Sequence, residues 1–178
     1  MKKTTIFIAL TFAVTAVFAQ KKTTTSAVIN FDATTSLDAL PKAENKTAVA
    51  AVDTKKGSVS FEALIKSFSF GNPMMQEHFN SPKWLDSEKF PTATFTGSIT
   101  NFGDINFEAD GTYSANVSGD LSIHGISKPV STKVVFVVSG KTISATTDFT
   151  VKLADYSLAN AGGKLADEPK ITVKAEFK

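Results

Sequence analysis

Most of the chain between residues 58 and 177 alternates apolar and polar positions with a period of two. In the first such segment Val59, Phe61 and Ala63 share one side, and polar residues occupy most of the other. Because side chains of a β-strand point alternately to opposite faces, this period predicts strands with one buried and one wet face. Similar segments recur to the end of the chain. The pattern therefore predicts an all-β fold built on antiparallel pairing.

The alternation predicts about eight strands joined mostly by tight turns. The first two are weak: Ala27, Ile29 and Phe31 define one, and the alanine-rich residues 44–53 define the other. The later apolar faces consist of Val59, Phe61, Ala63 and Ile65; Ala93, Phe95, Gly97 and Ile99; Ile105, Phe107 and Ala109; Tyr113, Ala115, Val117, Gly119, Leu121, Ile123 and Gly125; Thr132, Val134, Phe136 and Val138; Ile143, Ala145, Thr147, Phe149, Val151 and Leu153; and Ile171, Val173, Ala175 and Phe177. So many successive hairpins favour closure into an up-and-down lipocalin-like β-barrel, with a two-sheet sandwich as the alternative.

Turn residues separate these segments. Residues 53–57 and 139–141 each contain a glycine suited to a tight turn, and Asp110-Gly111 is the strongest hairpin signal in the chain. The phase of the alternation slips by one residue after Ile65. A slip of this kind must be absorbed to keep apolar side chains inward, so we expect a β-bulge near residues 66–67. A second long loop is predicted over residues 154–170.

The alternation fails most completely over residues 74–95. Asn72 before Pro73 predicts the start of a short helix, and Pro82 bars its continuation. An apolar stripe on this helix consists of Met74, Met75, His78 and Phe79. A helix this short is unstable alone, so we expect it and the following loop, with Trp84, to cover one end of the barrel.

The first 19 residues have the features of a signal peptide. Lys2 and Lys3 precede an apolar run over residues 6–18, and Val17 and Ala19 suit the positions before a cleavage site. We expect cleavage after Ala19, a periplasmic or secreted protein and no stable membrane anchor after cleavage; an uncleaved anchor is the alternative. Residues 20–26 are predicted to be a mobile polar lead, and residues 27–178 one barrel domain.

Composition narrows the function. All 19 basic residues are lysine, and removal of Lys2 and Lys3 leaves them equal in number to the 17 acidic residues. The mature chain therefore has no basic excess, and we expect no nucleic-acid partner. The absence of cysteine excludes disulfides and thiolate chemistry. No oligomeric state follows from these patterns.

Candidate catalytic chemistry is sparse. His78 and His124 are the only histidines and have no partner at metal-ligand spacing, so we expect no metal site. No serine lies in a nucleophile-elbow setting. We therefore expect a protein without catalytic residues or cofactor, and a hydrolase acting on a lipid-like substrate is the less favoured alternative.

The predicted inner face mixes large aromatic side chains with alanine and glycine. An eight-stranded barrel can be filled by its side chains or can hold one small ligand, and the sequence leaves both open. Candidates to line an open lumen or its mouth are Phe61, Phe68, Phe70, Met74, Met75, Phe79, Trp84, Phe95, Phe107, Tyr113, Phe136 and Phe149.

Two strings, EHFNSPKWLDSEKFPTATFTG and DGTYSANVSGDLSIHGISKPV, resemble the YceI-like family of polyisoprenoid- or lipid-binding proteins. The matching residues are His78, Phe79, Ser81, Trp84, Leu85, Asp86, Phe90, Pro91, Ala93, Phe95, Gly119, Leu121, His124, Gly125 and Pro129. The resemblance covers residues 27–178, although residues 38–47 depart from it and are predicted to be a polar insert. It implies a secreted or periplasmic barrel that holds an isoprenoid or other lipid tail in its lumen. A structural or interaction barrel with a filled core is the alternative.

Overall fold

The computed structural model describes residues 21–39, 41–158 and 164–178, and the predicted signal peptide and Gln20 lie outside them. The described strands are β1 (Lys21–Asp32), β2 (Lys42–Asp53), β3 (Ser58–Leu64), β4 (Ser69–Phe70), β5 (Thr92–Ile99), β6 (Gly111–Ile123), β7 (Ile126–Ser139), β8 (Thr142–Thr150) and β9 (Lys170–Phe177). Helix α1 spans Pro73–Asn80, and 3₁₀ turns cover Ile65–Ser67, Phe102–Asp104 and Leu153–Tyr156. Within these residues, no helix has the length and apolar character needed to cross a bilayer.

Eight antiparallel strands close into a barrel. With β4 left aside, each strand pairs with the next one in the chain. The last strand, β9, pairs with β1, and this pairing closes the barrel. The two-residue β4 pairs antiparallel with the start of β2, where Phe70 lies opposite Ala43. The prediction of an all-β, lipocalin-like barrel with a short helix over one end is confirmed, and the two-sheet sandwich is not formed.

The start of the described chain differs from the prediction. Residues 21–26 belong to β1, where Lys21 pairs with Asp53, so the prediction of a mobile lead is wrong for these residues. The threonines of this segment are good strand formers, and the alanines of β2 give them a partner. Residues 42–47, which lie in the predicted polar insert, also belong to β2. The predicted second strand over residues 44–53 is confirmed and begins two residues earlier.

Asn45 is a polar residue of this segment that the barrel wall accommodates by hydrogen bonding. Its side chain is fully buried. Its amide nitrogen donates to the Leu64 carbonyl at 3.0 Å, and its amide oxygen accepts from the Thr47 backbone N–H at 2.9 Å. Because these bonds satisfy the buried amide, burial of this residue does not oppose folding.

The phase slip after β3 is absorbed by a 3₁₀ turn. The predicted bulge is wrong, because Ile65–Ser67 form this turn with Ile65 buried in the core. The chain then leaves the line of β3, and Ser69 and Phe70 pair with β2. Phe68 and Phe70 are thereby brought to the α1 end of the barrel.

The connection between β5 and β6 closes the opposite end. The predicted strand at Ile105–Ala109 and the hairpin at Asp110-Gly111 are both wrong, because residues 100–110 form a loop. Ile105 is buried, and the Phe107 ring lies 5.2 Å from that of Phe136. Asp110 instead accepts a hydrogen bond from the Gly140 N–H at 2.8 Å. Side chains fill this half of the barrel, among them Ile99, Ile105, Ala115, Val138 and Ile143.

A two-residue turn joins β6 to β7. Ile123 pairs with Ile126, and the two residues between them, His124 and Gly125, have φ angles of 53° and 73°. Left-handed conformations at both central positions define the turn type that matches the twist of a β-hairpin. The period of two predicts that the strand continues through Gly125, and this prediction is wrong because the strand ends at Ile123. The predicted turns at residues 53–57 and 139–141 are confirmed.

Candidate ligand site in the barrel lumen

A cavity of about 210 Å³ lies inside the barrel, and most of its lining residues lie toward the α1 end. Every one of the eight barrel strands contributes to its wall, from Ile29 on β1 to Ala175 on β9. The described residues that line it include no ionisable side chain, and the surface that they present to it is almost entirely apolar. Such a lining suits an uncharged, apolar molecule.

Small side chains in the lining leave space for the cavity. The lining includes alanines from five strands: Ala50, Ala63, Ala93, Ala145 and Ala175. Phe95 is accommodated by two glycines: a Cβ on Gly97 or Gly119 would lie only 2.7 or 2.9 Å from its ring. The ring therefore lies close against the backbone of β5 and β6.

Helix α1 places an aromatic cover over one part of the lumen. The Asn72 side chain caps the helix by accepting from the Met74 N–H at 2.9 Å, and Pro73 is its first residue. Phe79 is the buried residue of the helix. Its ring lies 4.8–5.8 Å from the rings of Phe31, Phe68, Phe70 and Trp84. Edge-on and tilted contacts of this kind are favourable and hold the helix in place.

A second cover follows β8. Leu153, Tyr156 and Leu158 are buried, and both leucines line the lumen. The Tyr156 hydroxyl donates to the Leu121 carbonyl at 3.4 Å, and His124 Nδ1 lies 3.3 Å from the Tyr156 carbonyl oxygen. Burial, with a smaller effect from the Asp155 carboxylate, raises the pKa of Tyr156, so its hydroxyl remains a proton donor. These contacts tie the segment to the β6–β7 hairpin.

Seven of the twelve aromatic and methionine residues predicted for the lumen or its mouth line the cavity. They are Phe61, Phe68, Phe79, Trp84, Phe95, Phe136 and Phe149. They come from β3, β5, β7, β8, α1 and the segments beside α1, so the fold brings together residues separated by up to 88 positions in the chain.

The other five predicted residues do not line the cavity. Met74 is 65% exposed, and Met75 lies on the same short helix without reaching the lumen. Phe70 packs on the Phe79 ring at 4.8 Å. Phe107 contacts Phe136 at the filled end, and the Tyr113 hydroxyl donates to the Ala109 carbonyl at 3.0 Å. The predicted apolar stripe on α1 is therefore reduced to Phe79.

Sequence reasoning missed several lining residues. Val130 and Thr132 lie on strand faces that the period of two indicates, and attention to large aromatic residues alone omitted them. Phe31 was omitted as well, although it lies on the apolar face predicted for the first strand. Leu153 and Leu158 come from a segment without periodicity, so no pattern could have indicated them.

The described residues form no group of three or more histidine, aspartate or glutamate side chains that could hold a metal ion. His78 lies on the exposed side of α1, and His124 lies at the β6–β7 turn against the Phe90 ring, 4.7 Å away. The arrangement in the lumen can exclude water and enclose an apolar chain.

A closed eight-stranded barrel with an apolar lumen and a helix over one end defines a lipocalin-like protein. Residues 7–177 match the family model described as the YceI-like domain. The chain therefore belongs to the YceI-like family.

Several curated relatives share one family designation. A "UPF0312 protein" of Pseudomonas fluorescens is 40% identical over 65 residues, 36% of this chain and 32% of the relative. One from Pseudomonas putida strain W619 is 32% identical over 94 residues, covering 48% and 44%. The chain thus spans less than half the length of these relatives.

Solved structures share the fold at low identity. A polyisoprenoid binding domain from Saccharophagus degradans, implicated in plant cell wall breakdown, has a TM-score of 0.74 at 14% identity, covering 89% of this chain and 98% of that one. Burkholderia cenocepacia BcnA has a TM-score of 0.57 at 18% identity, covering 90% and 98%. Likeness at this level of identity establishes the architecture, and function requires the argument from the site.

Proposed function

We propose that this protein is a periplasmic or secreted binding protein that holds an isoprenoid or other lipid-like molecule in its barrel lumen. The main support for this proposal is the 210 Å³ cavity, whose described lining has no ionisable side chain. The polyisoprenoid-binding neighbour supports this choice of ligand class. The signal-like first 19 residues support the location.

The size of the lumen is compatible with useful binding. A protein cavity of about 150 Å³ takes one benzene molecule, so by proportion 210 Å³ holds roughly eight carbons. Burying each methylene contributes about 0.8 kcal/mol, which gives a gross term of about 6 kcal/mol before ordering costs. A short apolar tail therefore supplies a favourable term of the same order as the cost of ordering the ligand.

Binding is better supported than catalysis. A hydrolase needs a nucleophile with a nearby base, or an activated water, where the substrate lies. The described lining residues of the lumen include no histidine, carboxylate or lysine. The geometry therefore favours a carrier or reservoir over an enzyme.

Titration with a prenyl alcohol tests the proposal. Trp84 is the only tryptophan and lines the lumen, so its fluorescence reports occupancy. Geranylgeraniol added to detergent-free protein should change Trp84 emission saturably. Ala145→Phe, which places a ring inside the lumen, should weaken binding at least about tenfold, whereas Val135→Phe, on the outer face of β7, should leave it unchanged.

Circular dichroism establishes that each variant is folded, and Ala93→Leu is a second lumen variant if Ala145→Phe is not. The absence of a saturable Trp84 response in the native protein would overturn the proposal. An equal loss of affinity in the lumen and outer variants would place the ligand elsewhere.

A further inference from the structure

The barrel wall is incomplete between β7 and β8. β7 pairs with β6 along 13 consecutive positions, from Gly111 and Val138 to Ile123 and Ile126. Among the described residues, β7 pairs with β8 only from Ser139 and Thr142 to Val134 and Thr147. Residues 126–133 of β7 therefore pair with a strand on one side only. We call the gap between this part of β7 and residues 148–150 the seam.

Side chains replace the missing backbone bonds at the start of the seam. The Thr147 hydroxyl donates to the Lys133 carbonyl at 2.8 Å, and the Thr132 hydroxyl lies 3.3 Å from the Asp148 carbonyl oxygen. Pro129, further along β7, has no N–H to offer a neighbouring strand. The two strands thus separate at Thr132 and Thr147, which also line the lumen.

A polar surface pocket of about 250 Å³ lies over the seam. Val130 on β7 and Val151 after β8 line both this pocket and the lumen. Lys128 and Lys152 lie on the two sides of the pocket, and Asp155 and Glu168 complete its charged groups. Two valine side chains therefore separate a polar surface site from the apolar lumen.

We propose that the polar end of the bound lipid lies in this seam pocket and that the ligand passes between β7 and β8. This inference rests on the proposed lumen function and assigns the site of its head group. A lumen that holds roughly eight carbons cannot enclose a longer isoprenoid, so the rest of the chain must leave it. Loop 100–110 fills one end of the barrel, and Phe79, Trp84 and Leu85 cover the other.

The charges of the pocket do not favour a strongly charged head group. Two ammonium groups and two carboxylates give a formal charge of zero, so a diphosphate would meet repulsion from Asp155 and Glu168 as well as attraction from the two lysines. An uncharged, hydrogen-bonding head group such as a prenyl alcohol fits this composition.

Protection from alkylation tests the seam. The chain contains no cysteine, so single-cysteine variants report one position each. Thr150→Cys places a thiol in the seam pocket, and Ser144→Cys places one on the same outer face of β8 where the strand is fully paired. Saturating geranylgeraniol should slow the reaction of Thr150→Cys with a maleimide at least about fivefold and leave the Ser144→Cys rate unchanged.

Trp84 fluorescence, followed in the same samples, separates the two proposals. A saturable Trp84 response with no protection of Thr150→Cys would overturn the seam and leave the lumen function in place. No Trp84 response in any variant would overturn both. Lys152→Cys, on the same pocket, serves as a second probe if Thr150→Cys does not fold, with the same expected protection.

Discussion

Gly97 and Gly119 lie directly opposite each other on β5 and β6. A Cβ on Gly119 would lie 2.3 Å from the Thr96 carbonyl oxygen and 2.4 Å from the Gly97 Cα. These neighbours are backbone atoms, which cannot move aside as a flexible side chain can. The pair lets the strands approach closely and seats the Phe95 ring against the wall of the lumen.

Gly119→Ala should therefore lower the free energy of unfolding by about 1–3 kcal/mol, the usual cost of overpacking. Urea unfolding followed by far-ultraviolet circular dichroism measures it. Gly71→Ala is the matched control, because a Cβ there meets nothing within 4 Å. Equal effects at the two positions would contradict the close-packed glycine pair.

Asp53 sets part of the stability in acid. Hydrogen bonds from the N–H groups of Lys55 and Lys56, both 2.9 Å from Asp53 Oδ1, lower the pKa of this carboxyl. Its ionised form therefore favours the folded state above the unfolded pKa, and the contribution is lost as the pH falls through the lowered folded value.

Asp53→Asn keeps an acceptor oxygen at this turn but removes the titration. Below about pH 4 the variant should lose less stability than the native protein relative to neutral pH. The comparison uses unfolding midpoints of both proteins, measured at intervals of about one pH unit between pH 2 and pH 7. Parallel curves for the two proteins would show that the turn hydrogen bonds do not favour the carboxylate.

At the scale of elements, α1 packs on the barrel through one buried apolar residue rather than through an apolar face. Phe79 is 5% exposed and contacts four aromatic rings, whereas Met74 on the same helix is 65% exposed. A helix of eight residues gains little stability from its own hydrogen bonds. The aromatic contacts of Phe79 therefore contribute strongly to keeping this cover in place.

Phe79→Ala should lower the free energy of unfolding by about 3–5 kcal/mol, since it removes a buried ring and leaves a cavity. Met74→Ala should change it by less than about 0.5 kcal/mol. Chemical denaturation of both variants decides the matter, and a similar loss in each would mean that α1 docks differently.

The strands with strict alternation could be predicted, because a face buried against the lumen requires the period of two. The connections could not be predicted from the same signal. Ile105 and Phe107 have the spacing of a strand face, but they belong to a loop whose side chains fill one end of the barrel. A loop can also bury every second residue, so the spacing alone does not identify a strand. His124 gave no turn signal of its own, since the usual hairpin residue at that position is asparagine or aspartate.

The whole molecule shows why only part of the site could be predicted. The aromatic residues of the lumen follow from strand faces, and so does the mixture of large and small side chains. Which half of the barrel is filled depends on the 100–110 loop and on the segment around Leu153, whose positions are set by tertiary contacts. The seam likewise follows from pairing between strands, which the sequence of one strand does not encode.

The central claim is that the lumen holds a lipid. Mass spectrometry of an organic extract tests it most directly, using protein purified without detergent from its native compartment. The account predicts a prenyl or other lipid-like molecule in near-stoichiometric amount, and its loss from folded Ala145→Phe protein. Extracts that contain no such lipid, from protein that also takes up none when it is added, would contradict the claim.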